Sequence, residues 1–421
     1  MGVERISVYD NGLAIDVKTV ARYASIYRQA LLGDCAPFWE ERSADRRFGG
    51  FLTCLDREGS IYSTEKSVWF QGRQTWMFAK LYNELEQKPE WLENARLGYE
   101  FLKKFCFDAD GRMFFIVACD GAPLRKRRYC FSESFAVIAF AEYYKASGDA
   151  EALELARKTF ALLVDIYEGR VKAEPKFLPA ATPSKAMAMP MILLSTLQCL
   201  READPDYCRD AGSNGIVDDC NNDKYDSLRD VFVNELLNDF LKPDEKALFE
   251  TVGANGERLD SPAGRCINPG HSIEASWFLL KEGLFSGDKA LIQHALDILD
   301  WSFDLGWDKV YGGLFSFVDI EAKPPQQLEW DMKLWWPHTE ALCAFLIAAA
   351  ISGDAKYFEK FELVHNYAFS HFSDCKYGEW FGYLHRDGTV SNELKGSLFK
   401  GFFHLPRALL TCLQLLDGTG L

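Results

Sequence analysis

Two histidines in this 421-residue chain stand at matching places, each just behind a turn signal and just ahead of an apolar helical run. Pro269-Gly270-His271-Ser272-Ile273-Glu274 runs into Ala275-Ser276-Trp277-Phe278-Leu279-Leu280. Lys400-Gly401-Phe402-Phe403-His404 runs into Leu405-Pro406-Arg407. The spacing predicts His271 in the first helical turn with Glu274 one turn further along the same side. A titratable pair at a helix mouth serves proton chemistry or a simple cap, and either histidine alone reads as structural. Arg73, Glu133, the Trp335/Trp336 pair with Glu340, and Arg407 occupy the same relative position elsewhere in the chain. If the fold brings these positions together, two imidazoles face one cavity and suit proton removal and return near neutral pH. An arginine and carboxylates beside them would hold a developing enolate and orient an imidazole. No glycine-rich phosphate loop or metal-ligand spacing is present, so proton abstraction next to a carbonyl, with no metal and no cofactor in the chemistry, is the expected class.

Each of these residues has a plainer reading. Trp335-Trp336 is core material as readily as a sugar platform, Glu340 could cap a helix, and Arg73 could sit in an ion pair. His338, behind Pro337, could be a cap or a supporting group. His294 and His365 fall in outer-type helices, and His371 and His385 are assigned to loops. Two other functions stay open on the residues alone. One is a glycoside hydrolase using two of Glu133, Glu274 and Glu340 as its carboxylate pair. The other is a binding protein that uses the same scaffold without turnover.

The elements that must position these side chains form a repeat. A helix is predicted from Val17 to Leu32. A hairpin around Phe48-Gly49-Gly50-Phe51 then leads to a helix from Gln71 and another over about 90–105. The same order, hairpin then two helices, recurs from Asp110-Gly111, from Glu174 in shortened form, from Leu248-Phe249-Glu250-Thr251, from Tyr311-Gly312-Gly313 and from Tyr377-Gly378. Ser147-Gly148-Asp149, Ser286-Gly287-Asp288 and Ser352-Gly353-Asp354 each read as one helix C-cap followed by the next N-cap. Six helical hairpins with mixed aromatic and charged residues at the inner-helix starts favour a closed ring. The expectation is one all-α (α/α)6 barrel, a six-hairpin toroid spanning 1–421, with short β-hairpins at the active-site end.

Composition narrows the partners. Net charge is −15, and the one basic block, Arg125-Lys126-Arg127-Arg128, is too small for a nucleic-acid face. No apolar run is long enough to span a bilayer and no export signal opens the chain, so a cytoplasmic protein is expected. Twelve cysteines without CxxC spacing read as reduced, mostly buried thiols.

Several long motifs, in order, are similar to one family. They are Gly72-Arg73-Gln74-Thr75-Trp76-Met77, Met187-Ala188-Met189-Pro190-Met191, Asn268-Pro269-Gly270-His271 with Glu274, Trp335-Trp336-Pro337-His338-Thr339-Glu340-Ala341, Tyr377-Gly378-Glu379-Trp380-Phe381-Gly382-Tyr383, and Phe399 to Arg407. The chain resembles the N-acylglucosamine 2-epimerase family over nearly its whole length. That resemblance implies an (α/α)6 barrel, often dimeric, that interconverts N-acetylglucosamine and N-acetylmannosamine. By position it implies that Arg73, His271, Glu340 and His404 are the essential set, and Glu133, Glu274, Trp76, Trp336 and Arg407 are expected to contact substrate. Related cellobiose 2-epimerases and mannose isomerases carry Asn-x3-His on the third inner helix. Here Lys185-Ala186-Met187-Ala188-Met189-Pro190 lacks the histidine, which favours the acylamino-sugar branch over an enzyme for mannose or cellobiose. Members of that branch are often stimulated by ATP, so ATP is expected as an allosteric activator, and a homodimer as the assembly.

Overall fold

A computed structural model describes residues 7–8, 15–127, 129–172, 183–206 and 222–420. The third-unit hairpin expected around Glu174 and the last residue of the basic block, Arg128, lie outside these residues. In chain order the helices are α1 (Val17–Ala30), α2 (Ala36–Arg42), α3 (Val68–Glu84), α4 (Pro89–Phe105) and α5 (Phe131–Ser147). Next come α6 (Ala150–Tyr167), α7 (Ala188–Ala203), α8 (Asn222–Glu235), the single-turn α9 (Pro262–Arg265) and α10 (Pro269–Ser286). The last four are α11 (Lys289–Gly306), α12 (Trp335–Ser352), α13 (Ala355–His371) and α14 (His404–Asp417).

Helices α3, α5, α7, α10, α12 and α14 pack side by side in that order, and α14 returns to α3, which closes the inner ring. Helices α1, α4, α6, α8, α11 and α13 form the outer layer. Apolar patterning sorts the two layers. The inner α12 buries Trp335 and every residue from Pro337 to Ala350, whereas the outer α4 buries one stripe containing Trp91, Ala95, Tyr99 and Leu102. The first helix packs on the last, so α1 supplies the outer partner of α14 and joins the two ends of the chain.

The three Ser-Gly-Asp junctions perform as expected. Gly148, Gly287 and Gly353 are left-handed C-caps, and the side chains of Asp149, Asp288 and Asp354 each accept a backbone N–H from the next helix. Strand pairing differs from the simple hairpins expected. The short strand leading into an inner helix pairs with the hairpin of the following unit: Lys66–Ser67 with Ile116–Val117, Cys266–Ile267 with Val318–Asp319, and Lys333–Leu334 with Tyr383–Leu384. Ser184–Ala186 pairs in the same way with Thr251–Gly253. The edges left by such short strands are thereby satisfied by neighbours, which ties adjacent units at the end where the inner helices begin.

A second recurrence lies beneath these strands. Buried Lys66, Lys333 and Lys395 pair with Asp45, Asp308 and Asp374 at 2.7, 3.1 and 3.0 Å. Burial pulls the Lys333 and Lys395 ammonium groups down to about 8 despite their aspartates. The cysteines form no disulfide among the described residues. Nor is any helix among them long and apolar enough to cross a membrane.

Candidate active site

Three inner helices carry a charged residue at one register. Arg73, Glu274 and Glu340 each lie five residues past the first residue of α3, α10 and α12. Because the inner helices run the same way, equal register means equal height in the barrel. The last inner helix begins at His404 and brings Arg407 to this layer.

Arg407 is the hub. One guanidinium nitrogen, Nη2, lies 2.7 Å from Glu274 Oε1 and 2.7 Å from Glu340 Oε2. Glu340 also accepts from Trp277 Nε1 at 3.0 Å and lies 2.8 Å from His404 Nδ1. All four members of this network, Glu274, Arg407, Glu340 and His404, are buried. The short Nδ1–carboxylate contact places the ring hydrogen on Nδ1, donating to Glu340, and leaves the Nε2 lone pair free to accept a proton. Burial, then the positive charges of Arg73 and Arg407, hold the His404 imidazole well below its ordinary pKa, so it is neutral at pH 7.

His271 has the opposite balance. Its backbone N–H is capped by the Asn268 side chain at 3.1 Å, and its Nδ1 lies 2.9 Å from Glu250 Oε1. Burial lowers its pKa, but Glu250, Glu274 and Glu340 outweigh that and the net shift is upward. Both imidazoles pack against the Trp336 indole, with ring centroids 5.0 Å away for His271 and 5.9 Å for His404. Gly270 permits this approach, since a side-chain Cβ there would lie 2.7 Å from the indole. Of the two rings, His271 reaches solvent, with 32% of its side chain exposed against 9% for His404.

Arg73 makes no ion pair or hydrogen bond among the described residues, so the reading of it as an ion-pair partner falls away. Its guanidinium sits in the corner formed by the Phe135 and Phe403 rings, 3.9 and 4.8 Å from their centroids. Burial brings it down to about 9, still a cation at neutral pH. Trp76 stands beside it against Phe403, and its Nε1–H has no partner among the described residues. Arg73, Trp76, Glu274 and Arg407 line one end of a cavity of about 670 Å³ that extends to Lys80, Lys145, Glu202 and Lys281 in the last turns of the inner helices.

Eight of the nine residues selected from the sequence therefore converge on one layer and its immediate neighbours. Glu133 does not. Its Oε1 accepts from Arg112 Nε at 2.5 Å and from the Met113 backbone N–H at 3.0 Å, so it is a structural anchor and not a substrate contact. The reason is register. One turn into their helices, Gln71, Glu133 and His338 each bond the backbone N–H of the preceding hairpin, at Phe51, Met113 and Leu314. His338 belongs to the same post: it is fully buried between Leu314 N–H and the Leu334 carbonyl, and burial pushes it down to about 3. Arg407 and Glu274, expected as substrate contacts, chiefly hold one another and Glu340. His371 closes α13 and does not lie in a loop.

Two polar groups escaped sequence reasoning. In the sequence Glu250 falls within the fourth hairpin stretch and Trp277 within an apolar helical run. Glu250 lies in the bend between the short strands Ala247–Leu248 and Thr251–Gly253, just ahead of the helix that carries His271.

Glu274, Glu340 and His404 offer ligand atoms within 4.8 Å of one another, a spacing that would admit a cation. Arg407 already bridges both carboxylates and fills that position with its own charge.

Comparison with known proteins agrees with this geometry. The sequence signature of the N-acylglucosamine 2-epimerase (GlcNAc 2-epimerase) family matches residues 50–408. The N-acylglucosamine 2-epimerases of Bos taurus and Homo sapiens are each 40% identical over 390 residues, covering 90% of this chain and 88% and 87% of theirs. Among solved structures, the cellobiose 2-epimerase of Spirochaeta thermophila DSM 6192 superposes with a TM-score of 0.80 at 23% identity, covering 96% of this chain and 98% of its own. That of Bacillus thermoamylovorans B4167 gives 0.80 at 20% identity, with 94% and 99% covered. At those identities the likeness establishes the shared (α/α)6 barrel.

Proposed function

This chain belongs to the N-acylglucosamine 2-epimerase family, and from that premise we propose that it interconverts N-acetyl-D-glucosamine and N-acetyl-D-mannosamine by moving one proton at C2. The carrying observation is that both imidazoles pack against Trp336, each with Nδ1 against a glutamate. Ring opening of the pyranose gives an aldehyde that acidifies the C2 proton. One histidine removes that proton as the electron pair moves into the carbonyl, and the other delivers a proton to the opposite face. Arg73, free of any protein carboxylate, is the group to meet the enolate oxygen. A cation already desolvated by two aromatic rings needs little reorganisation as charge develops. Glu340 holds the His404 tautomer, and Trp336 offers its face to the sugar.

The proposal places no metal or cofactor in the chemistry and treats ATP as an allosteric activator. It places the enzyme in the cytoplasm as a homodimer supplying amino sugars to sialic acid metabolism. Hydrolysis of glycosides is disfavoured because Glu274 and Glu340 are taken up by Arg407, Trp277 and His404, and Glu133 by Arg112. No free carboxyl pair remains among them to flank a glycosidic bond. Proton NMR of the purified protein with N-acetylmannosamine in deuterated water, with and without ATP, tests the reading. N-acetylglucosamine carrying deuterium at C2 is expected, and His404→Asn is expected to stop the conversion. Normal turnover by that variant would remove His404 from the mechanism.

A further inference from the structure

The two histidine–glutamate dyads look alike but are wired differently. Glu340 divides its charge among His404, Arg407 and Trp277. Glu250 has His271 as its side-chain partner among the described residues. Its backbone is also held on both sides. The Glu250 carbonyl accepts from Met187 N–H at 3.0 Å, and the neighbouring Leu248 carbonyl accepts from Ser272 Oγ at 3.2 Å, one residue past His271. Phe249 N–H bonds Phe240 O at 3.0 Å. The bend that carries Glu250 is thus fastened to the helix that carries His271 and to the start of its neighbour. An unconstrained surface carboxylate would have no such bracing.

Resting on the proposed epimerase reading, we infer that Glu250 is a positioning residue that keeps His271 as the proton-bearing member of the pair, leaving His404 as the base. His271 is the third residue of α10, at the positive end of the helix, where an added proton is otherwise disfavoured. Every charged group facing it enters the balance. Glu250 stands on the hairpin, Glu274 on its own helix and Glu340 on α12, all favouring the imidazolium. The positive charges of Arg73 on α3 and Arg407 on α14 bear on the neighbouring His404. Lys185, on the strand paired with the hairpin, is tied to Asp239 at 2.6 Å. Glu274 and Glu340 are both engaged by Arg407, so Glu250 is the carboxylate whose charge is left for His271.

The step balances. His404 Nε2 takes the C2 proton, the C–H electron pair forms the enolate, and His271 Nε2–H then delivers its proton to the other face of C2 as the carbonyl re-forms. His404 leaves the cycle protonated and loses that proton to solvent, while His271 regains one from solvent. Since the substrates do not ionise, their equilibrium is independent of pH, and kcat/KM must follow the same pH profile in both directions.

The test is the pH profile of kcat/KM for wild type, Glu250→Gln and Glu250→Asp with N-acetylmannosamine. The alkaline limb reports loss of the His271 proton. Glu250→Gln is expected to move that limb down by roughly one to two pH units, the scale of an opposite charge at hydrogen-bond distance. Glu250→Asp keeps the charge and is expected to hold the limb near the wild-type position. A Glu250→Gln limb at the wild-type position, or equal losses in both variants at every pH, would overturn the inference. Should wild type turn over no amino sugar, the epimerase reading fails. The NMR titration of the His271 ring, assigned by its absence in His271→Asn, then decides the inference separately. Its pKa must drop in Glu250→Gln.

Discussion

Arg407→Met probes the hub of the site with a side chain of similar length and no charge. Wild-type Arg407 places one nitrogen 2.7 Å from each of two buried carboxylates and stacks near Trp277 and Phe403, at 5.1 and 4.7 Å. Methionine can keep the packing, so the loss is electrostatic: Glu274 and Glu340 are left buried without their cation. Breaking a buried pair by removing one member costs about 3–5 kcal/mol. With an unfolding entropy of about 2.1 cal/mol/K per residue, this chain changes by about 0.9 kcal/mol per degree, which makes the expected fall in Tm about 3–6 °C. Adding Glu274→Gln removes one stranded charge, and about 0.5–3 kcal/mol should return as coupling. Scanning calorimetry at pH 7.5 on wild type, both single variants and the double variant gives the full cycle. The catalytic readout is independent of stability. Losing Arg407 removes one of the charges that keep His404 neutral and frees Glu340 to stabilise its proton. The acid limb of kcat/KM should therefore rise in pH. A Tm within a degree of wild type, additive effects in the double variant, or an unmoved acid limb would refute this account of the cluster.

Glu133→Gln should lower stability by about 1.5–3 kcal/mol, the value of a hydrogen bond to a charged group, yet leave kcat/KM of the folded protein within about twofold. Glu340→Gln should reduce kcat by roughly 10²- to 10⁴-fold as the base loses its orienting partner, and should also lower Tm by removing one of the buried partners of Arg407. Acidification should destabilise the fold through buried neutral histidines. His338 and His365 are pushed down by burial to about 3 and about 4, so the unfolded chain binds more protons than the folded one below pH 6.5. From pH 6.5 to 5 each costs about 1.6 kcal/mol, readable as a falling Tm, and His404 acts in the same direction. His271 has the opposite sign: its raised folded pKa contributes stability below 6.5 that fades as pH rises through the folded value. Gly313→Ala should cost at least about 1–3 kcal/mol by thermal unfolding, since φ is +74° and a Cβ would lie 2.5 Å from the Tyr367 ring.

Much of this molecule was legible from spacing. The Ser-Gly-Asp junctions specify chain reversal through a left-handed glycine and an aspartate cap, both local effects, and all three behave as read. Inner and outer helices differ in how far around the cylinder their apolar residues extend, which is also written in one dimension. The equal register of Arg73, Glu274 and Glu340 follows from a repeat whose units start each inner helix at the same height.

Partnership was not legible, because it is set between units distant in the chain. Glu133 and Glu274 carry the same side chain near the start of an inner helix. A few residues of register turn one toward its own hairpin and the other toward Arg407. Glu250 lies 21 residues before His271, on a different element, and is brought to the imidazole by tertiary contacts that include the pairing of Thr251–Gly253 with Ser184–Ala186 and the Ser272–Leu248 bond. The sequence alone determined the helices, their caps, the repeat and two histidines at one level. Tertiary structure decided which carboxylate serves which histidine and how its charge is shared. Those two facts set the proton on each ring, because electrostatic energy depends on distance and burial through space and not on separation along the chain.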